Sequence, residues 1–426
     1  RGTVRVAADF PRLRTSEWRV DEPAAPDGIA RRVGLYRAML VDVAVGAVLF
    51  IDARRGATWR HARWSFVGVS TNILWNLRLT GPGYGLDRWF SQVDPGTWPI
   101  HARALTRLTS WIGARAGVPL PTPEYALLDD PRPIVEWLTD TRRAGGTPHL
   151  QSTVGALVAL AQEAVRRGHD LEGAQLLPSA EPLTPARLGA LRATGAEAVP
   201  SYGAKEAGQI GWGCLAPIAA DDMHLTDDRF AVIQPGSHGI HAGLPPGALL
   251  FTSLRAAWPL VLLNVSLGDQ AVMDRRVCGC PLGAAGWQMH VHDVRSFDKL
   301  KVGGFPLDPA ALIRLIDETL PGRFGGAPSD FQVVEDEAHV VTGHPCIRLL
   351  VHPRVGPVDA HEVAAMFLDM GRAAGSSVEA LWRDPSWFSV ERRAPYQSSG
   401  GKSYHVHHLT GSETGGNERA ASGRAR

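Results

Sequence analysis

Gly400-Gly401-Lys402 joins two flexible glycines to a cation in a chain that writes almost all of its positive charge as arginine. Of 44 Lys+Arg residues only four are lysine: Lys205, Lys299, Lys301 and Lys402. A lysine ammonium is a compact charge on a flexible stem, suited to reaching a phosphate or a carboxylate. Ser201-Tyr202-Gly203-Ala204-Lys205-Glu206 places an aromatic ring, a glycine and a carboxylate within six residues. The ring can stack on a purine base, and the carboxylate can hold Mg2+ that bridges phosphates. The same residue types also make an ordinary loop with a solvated glutamate. Asp269 follows Gly268 and an apolar run, which predicts a carboxylate at a strand end, placed to accept two hydrogen bonds from a ribose diol or to sit in a plain turn.

The four cysteines are Cys214, Cys278, Cys280 and Cys346. Two thiolates spaced as Cys278-x-Cys280 can reach one metal ion, and Cys214 with His224 can complete a closed tetrahedral Cys3His set of structural type. The competing reading is buried free thiols beside a surface histidine. Cys346, next to His344, reads as core. His405, His407 and His408 read as a zinc-binding or solvated cluster.

The elements that would position these groups are partly legible. Val154, Leu157, Val158, Ala161 and Val165 recur at helical spacing between Thr153 and Arg167, and Pro185 opens a second helix. Leu249-Leu250-Phe251 and Leu260-Val261-Leu262-Leu263 read as two strands split by Pro259. Residues 309–320 read as a helix opened by a proline. Strands are expected over Glu337 to Val341, Cys346 to Val351 and near Trp387 to Glu391, with a helix over Ala360 to Ala373. This alternation predicts a small α+β domain over residues 296–409, after a large domain over residues 1–295 and before a disordered tail, 410–426. Arg295 to Gly304 has the charge and glycine content of a hinge. Trp64, Trp75 and Trp89 are expected in the core, or lining an aromatic-acid pocket.

The composition, 44% hydrophobic and 20% charged over 426 residues, is that of a globular protein of two or three domains. A net charge of +1 argues against a nucleic-acid or membrane-surface binder. The longest apolar run, Val43 to Ile51, is far short of the roughly 20 residues of a membrane span, and no signal peptide is recognisable. A cytoplasmic protein is expected. Because the chain opens at Arg1 rather than Met, a processed start, a truncated chain and an incomplete gene model are the readings to consider.

Five segments in order resemble the adenylate-forming enzymes, most closely the phenylacetate–coenzyme A ligase-like branch. They are PSAEPLT, SYGAKEAG, GALLFTSL with PLVLLNVSLGD, VRSFDKLKVGG and the late GGK, over roughly residues 145 to 408. The resemblance implies an α/β fold, with a large adenylation domain (truncated at its start) and a small mobile C-terminal lid. It implies ATP-dependent activation of a carboxylic acid, aryl or acyl, as an acyl-adenylate, then transfer to a thiol of coenzyme A or a carrier protein. Tyr202 would stack on adenine with Gly203 beside it, Glu206 would hold Mg2+ and Asp269 would grip the ribose hydroxyls. Arg295 would contact ribose or phosphate, and Lys402 would reach the reacting carboxylate and α-phosphate. Cys214, His224, Cys278 and Cys280 match the order of a structural zinc site found in some relatives. The expected partners are a small-molecule carboxylic acid and a nucleotide, without nucleic acid or membrane, and a homodimer is the assembly to check.

Departures define the alternative. The glycine-rich phosphate loop has one candidate, Thr15 to Pro23, which lacks the glycines and carries Glu17. Lys205, Ala180, Asn264-Val265 and Phe297 replace the family's usual residues. A catalytically impaired relative, acting as a zinc-stabilised binding or scaffold protein, would look like this.

Overall fold

Strands alternating with helices between residues 59 and 199 can pair in parallel only through crossovers, and that is the arrangement found. The computed structural model of the chain describes residues 3–5, 17–19, 58–65, 84–98, 100–204, 206–236, 244–254, 261–284, 286–296, 309–341, 344–373, 388–397 and 402–409, with five isolated positions between 72 and 79. Lys205, Lys299, Lys301, Phe297, Gly400, Gly401 and the tail from Thr410 lie outside these residues, as does most of the Thr15 to Pro23 segment. The chain divides into two compact units, Arg1–Ser296 and Phe297–Arg426.

In the first unit, β1 (Thr3–Arg5) and β2 (Glu17–Arg19) form an antiparallel pair. The described part of the phosphate-loop candidate is therefore a strand, with Glu17 opposite Arg5. The large sheet has a parallel half of β3 (Trp59–Ser65), β4 (Leu86–Ser91), β5 (Pro123–Tyr125), β6 (Thr147–Thr153), β7 (Gln175–Ser179) and the short β8 (Glu197–Ala198). Its antiparallel half contains β9 (Ser201–Ala204), β10 (Gly208–Gly213), β11 (Met223–Leu225), β12 (Phe230–Ile233), β13 (Ala248–Ser253), β14 (Val265–Arg275) and β15 (Met289–Ser296). Among the described residues the order is β12-β13-β14-β15-β11-β10-β9-β7-β6-β3-β4-β5, and the halves join where Ser179 of β7 pairs with Ser201 of β9.

Helices α1 (Ile100–Arg115), α2 (Arg132–Arg143), α3 (Val154–Arg166), α4 (Pro185–Arg192) and the single turn α5 (Pro281–Ala284) complete this unit. Helix α3 follows the periodicity of its sequence and is capped by the Thr153 hydroxyl, which accepts from Ala156 N. Trp64 and Trp89 are fully buried, Trp64 donating to Ala126 O at 3.0 Å, so these two rings are core.

Two expectations about the strands need correction. Of the expected strand Leu260 to Leu263, Leu260 lies outside the described residues and the rest is not a strand: Val261 and Leu262 stand outside any ladder, and Leu263-Asn264 form a bend before β14 begins at Val265. Asn264 has φ +49, a left-handed conformation that asparagine tolerates, and its backbone and amide bond the Thr252 hydroxyl. As a result Asp269 lies within an 11-residue strand instead of at its end.

The second unit is a four-stranded sheet in the order β18-β17-β16-β19, formed by β16 (Phe331–Val341), β17 (His344–Val351), β18 (Phe388–Arg392) and β19 (Val406–Leu409). The predicted helix over 309–320 becomes α6 (Pro309–Arg314), a π-helical turn over Leu315–Thr319 and α7 (Leu320–Phe324). Pro321 lacks an N–H and its ring crowds the carbonyl four residues earlier, which accounts for the widened turn around Asp317. Helix α8 (Ala360–Ala373) packs Val363 and Phe367 on this sheet. Strand β19 had no apolar signal in the sequence. Its entry is fixed by His405, which is buried and bonds Asp317 at 2.9 Å, so this histidine is a structural residue and not part of a solvated cluster.

Parallel register pairs His61 of β3 with His149 of β6, and their Nδ1 atoms lie 3.1 Å apart in the core. Burial, reinforced by His149, holds His61 well below its usual range, and burial holds His149 at about 4. Both rings are thus neutral when folded, whereas an unfolded histidine protonates near 6.5. Stability is full above pH 6.5 and falls as the pH drops from there toward 4. Urea unfolding should show a loss of order 1–3 kcal/mol over that window, reduced in His61→Gln/His149→Gln.

Candidate nucleotide site and metal centre

The segment after β7 is positioned by buried charge. Glu181 Oε2 accepts from Gly155 N at 2.6 Å at the start of α3, where the helix dipole favours an anion, and lies 3.8 Å from Arg187 of α4. Thr184 caps α4 by accepting from Arg187 N. Immediately before Glu181, Ala180 has φ +67, a conformation that suits glycine, at the position where the resembling motif carries one.

The hairpin of β9 and β10 follows. Gly203 is required by close approach: a Cβ there would stand 2.7 Å from Gly208 O across the ladder. Tyr202 of β9 reaches β14, its hydroxyl donating to Asp269 Oδ2 at 2.8 Å. Desolvation, then the charge of Asp269 and this hydrogen bond, push the Tyr202 phenol well above its ordinary value, so it remains a donor. Two predicted nucleotide residues 67 positions apart are thereby brought together. Glu206 lies half-buried in the turn between β9 and β10. Arg295 occupies the rung next to Asp269, paired with Gln270 while Asp269 faces Ser296. Its guanidinium is engaged with Asp293, Nε donating to the Asp293 carbonyl at 3.2 Å.

Lys402 belongs to the second unit and is half-exposed. The chain on either side of it is anchored by one buried amide, since Gln332 Nε2 donates to the carbonyls of Tyr396 (3.0 Å) and Tyr404 (2.8 Å). Gln332 Oε1 accepts from Tyr396 N at 2.6 Å.

On the other face of the sheet the predicted metal residues converge. Cys214 follows β10, His224 is the middle residue of β11, and Cys278 and Cys280 lie between β14 and α5. His224 Nε2 is 3.0 Å from Cys280 Sγ and 3.6 Å from Cys278 Sγ, while its Nδ1 donates to Trp287 O at 2.6 Å. That bond leaves the Nε2 lone pair toward the thiols. Burial pushes the Cys214 thiol up to about 12. Desolvation also raises Cys280, but the N–H groups of Gly283, Leu215 and Leu282, with Cys278, outweigh it and lower its pKa. Gly283 leaves room for Cys278, whose Sγ would lie 3.0 Å from an added Cβ. Three sulfurs and imidazole nitrogen are the donors zinc prefers, and their burial suits a closed structural site. Cys346 has no described side chain.

The sequence did not single out His290, Asp221 or Asp222. Antiparallel register places His290 of β15 opposite His224, with ring centroids 4.0 Å apart. One ligand atom each from Cys214, His224, Cys278 and His290 lies within 4.8 Å of the others. Asp222 accepts from His290 Nδ1 at 3.1 Å and from Ile218 N at 2.9 Å, and is paired with Arg276. Although desolvation raises Asp222, these partners leave its carboxyl below the usual range. The alternation His290-Val291-His292, which puts two histidines on one face of a strand, was the available signal.

No protein-family model and no curated protein matches the chain. Among solved structures, 2-hydroxyisobutyryl-CoA ligase in the postadenylation state is similar both in complex with R3-HIB-AMP (TM-score 0.51) and with 2-HIB-AMP (TM-score 0.50). Each is 14% identical, over 91% of this chain and 72% of that one. The chain therefore has the fold of the adenylate-forming ligases: a large mixed sheet-and-helix domain and a small second sheet domain.

Ala180 offers a direct check on the local backbone. Relief of a left-handed alanine is worth about 1–2 kcal/mol, partly offset by the greater entropy of an unfolded glycine. Ala180→Gly should raise stability by up to about 1 kcal/mol in urea unfolding.

Proposed function

We propose that the protein activates a carboxylic acid with ATP as an acyl-adenylate and passes the acyl group to a thiol such as that of coenzyme A. The observation that carries this reading is the Tyr202–Asp269 contact, on a fold shared with ligases of that type. In this reading adenine lies against the Tyr202 ring and the ribose diol donates to the Asp269 carboxylate. Glu206 supplies an oxygen ligand to Mg2+. The substrate carboxylate attacks the α-phosphorus, the bond to the β-phosphate bridging oxygen breaks, and pyrophosphate leaves. The charge that develops needs cations, and Lys402 is the protein's contribution beside Mg2+. The thiol then attacks the acyl carbon, AMP leaves, and the thioester forms. Arg295 would join this site by exchanging Asp293 for a ribose or phosphate oxygen. The acid, the acceptor and a cytoplasmic setting belong to the same proposal; among the described residues no helix is long and apolar enough to cross a membrane.

A second reading rests on one observation. Glu17–Arg19, within the phosphate-loop candidate, is an antiparallel strand whose sequence has a glutamate and no glycine. A binding or scaffold protein stabilised by zinc would not need that loop.

Pyrophosphate exchange into ATP, measured across a panel of aliphatic and aromatic acids, separates the two. The enzyme reading expects acid-dependent exchange that falls at least a hundredfold in Lys402→Ala, the scale on which single charge-stabilising groups act. Exchange with none of the acids would leave the scaffold reading.

A further inference from the structure

The metal centre contains more donors than a four-coordinate ion uses. Around His224 stand three sulfurs, Cys214, Cys278 and Cys280, and a second imidazole, His290. His290 is fully buried, and among the described residues its Nε2 has no hydrogen-bond partner. A buried polar atom without a partner is rare and calls for a ligand or ion. Its other nitrogen, Nδ1, donates to the Asp222 carboxylate, which is itself held by Arg276 and Ile218 N. A carboxylate only accepts, so Nδ1 carries the proton and the Nε2 lone pair is exposed to the centre. The same carboxylate–histidine arrangement orients metal-bound imidazoles generally.

The set Cys214, His224, Cys278 and His290 is complete without Cys280, since its four ligand atoms lie within 4.8 Å of one another. Cys280 Sγ stands 3.0 Å from His224 Nε2, which makes it a fifth donor that can stand in place of His290. With two thiolates and two neutral imidazoles, a divalent ion gives a centre of zero net charge, so the set that excludes Cys280 can also be buried.

We propose that His290 is a reserve ligand of this centre: a divalent zinc-type ion is held by four of five donors, and His290 takes the place of Cys280 when that thiolate is lost. This rests on the centre binding metal at all, and the wild-type measurement tests that premise separately.

Cobalt(II) exchanged into the purified full-length chain reports the donors by its spectrum. The wild type should bind one equivalent in a tetrahedral site with thiolate charge-transfer bands. Cys280→Ser should keep one equivalent, lose about a third of the thiolate band, retain tetrahedral d–d intensity and give no response to added azide, since no ligand position is open. His290→Ala should match the wild type, because Cys280 remains. Cys280→Ser/His290→Ala should release metal to a chelator on the order of 100-fold faster than either single variant. If the double variant does not fold by circular dichroism, the Cys280→Ser spectrum and its azide test decide alone. Loss of metal from Cys280→Ser as complete as from the double variant, or an azide-responsive open position in Cys280→Ser, overturns the proposal. A wild-type chain that binds no cobalt or zinc overturns the premise with it.

Discussion

The register of β15 is the constraint on which both candidate sites depend. This strand lies between β14 and β11, and its side chains alternate with a period of two, so a slip of one residue would exchange its faces. Register with β11 sets His290 against His224, and register with β14 sets Ser296 against Asp269. Along β14, Asp269 and Asp274 fall on opposite faces, so the Tyr202 contact and the metal centre occupy the two sides of one ribbon. The ladder also contains a bulge between the Gln270–Arg295 and Val272–His292 pairs. The Asp221 carboxylate accepts the bulged N–H groups of Asp293 (2.8 Å) and Val294 (2.7 Å). Desolvation raises the Asp221 pKa against those two bonds, a sign of how far it is removed from water. Asp221 and Asp222 thus hold β15 from consecutive positions, one through the backbone and one through His290.

From that ribbon the rest of the candidate nucleotide site follows by close approach. Gly203 permits the β9–β10 backbones to meet and brings Tyr202 toward β14. Glu181 ties the segment after β7 to the start of α3, where its charge meets both a helix N-terminus and Arg187. In the second unit Gln332 and the His405–Asp317 pair fix the backbone around Lys402.

How much of this was legible depended on the kind of signal. Helix α3 was readable because its apolar positions keep a 3.6-residue period and Thr153 caps it. Strands β16, β17 and β18 and helix α8 were readable, at least in part, from apolar runs between breakers, whereas β19 was not. The run Leu260 to Leu263 misled because apolar side chains alone specify neither burial nor a ladder: Val261 and Leu263 are exposed and only Leu262 is buried, ahead of the left-handed Asn264. The π turn came from Pro321, a local rule overridden by packing on the sheet. Tyr202 and Asp269 were legible as motifs, but their contact spans 67 residues and no local pattern encodes it. The spacing of Cys278-x-Cys280 pointed to a candidate metal site, and the structure brings both thiols near His224. His290 did not, because its role is conferred by a strand neighbour from elsewhere in the chain.

The central claim is that Tyr202 and Asp269 form the adenosine wall of an ATP site. Calorimetric titration of the full-length chain with Mg2+ and either ATP or 2′,3′-dideoxy-ATP tests it most directly. Hydrogen bonds to a carboxylate contribute about 1.5–3 kcal/mol each, so the account predicts micromolar ATP binding weakened at least tenfold both by removing the ribose hydroxyls and by Asp269→Ala, with no further loss when the two are combined. Equal binding of the two nucleotides, or no binding of either, would contradict it.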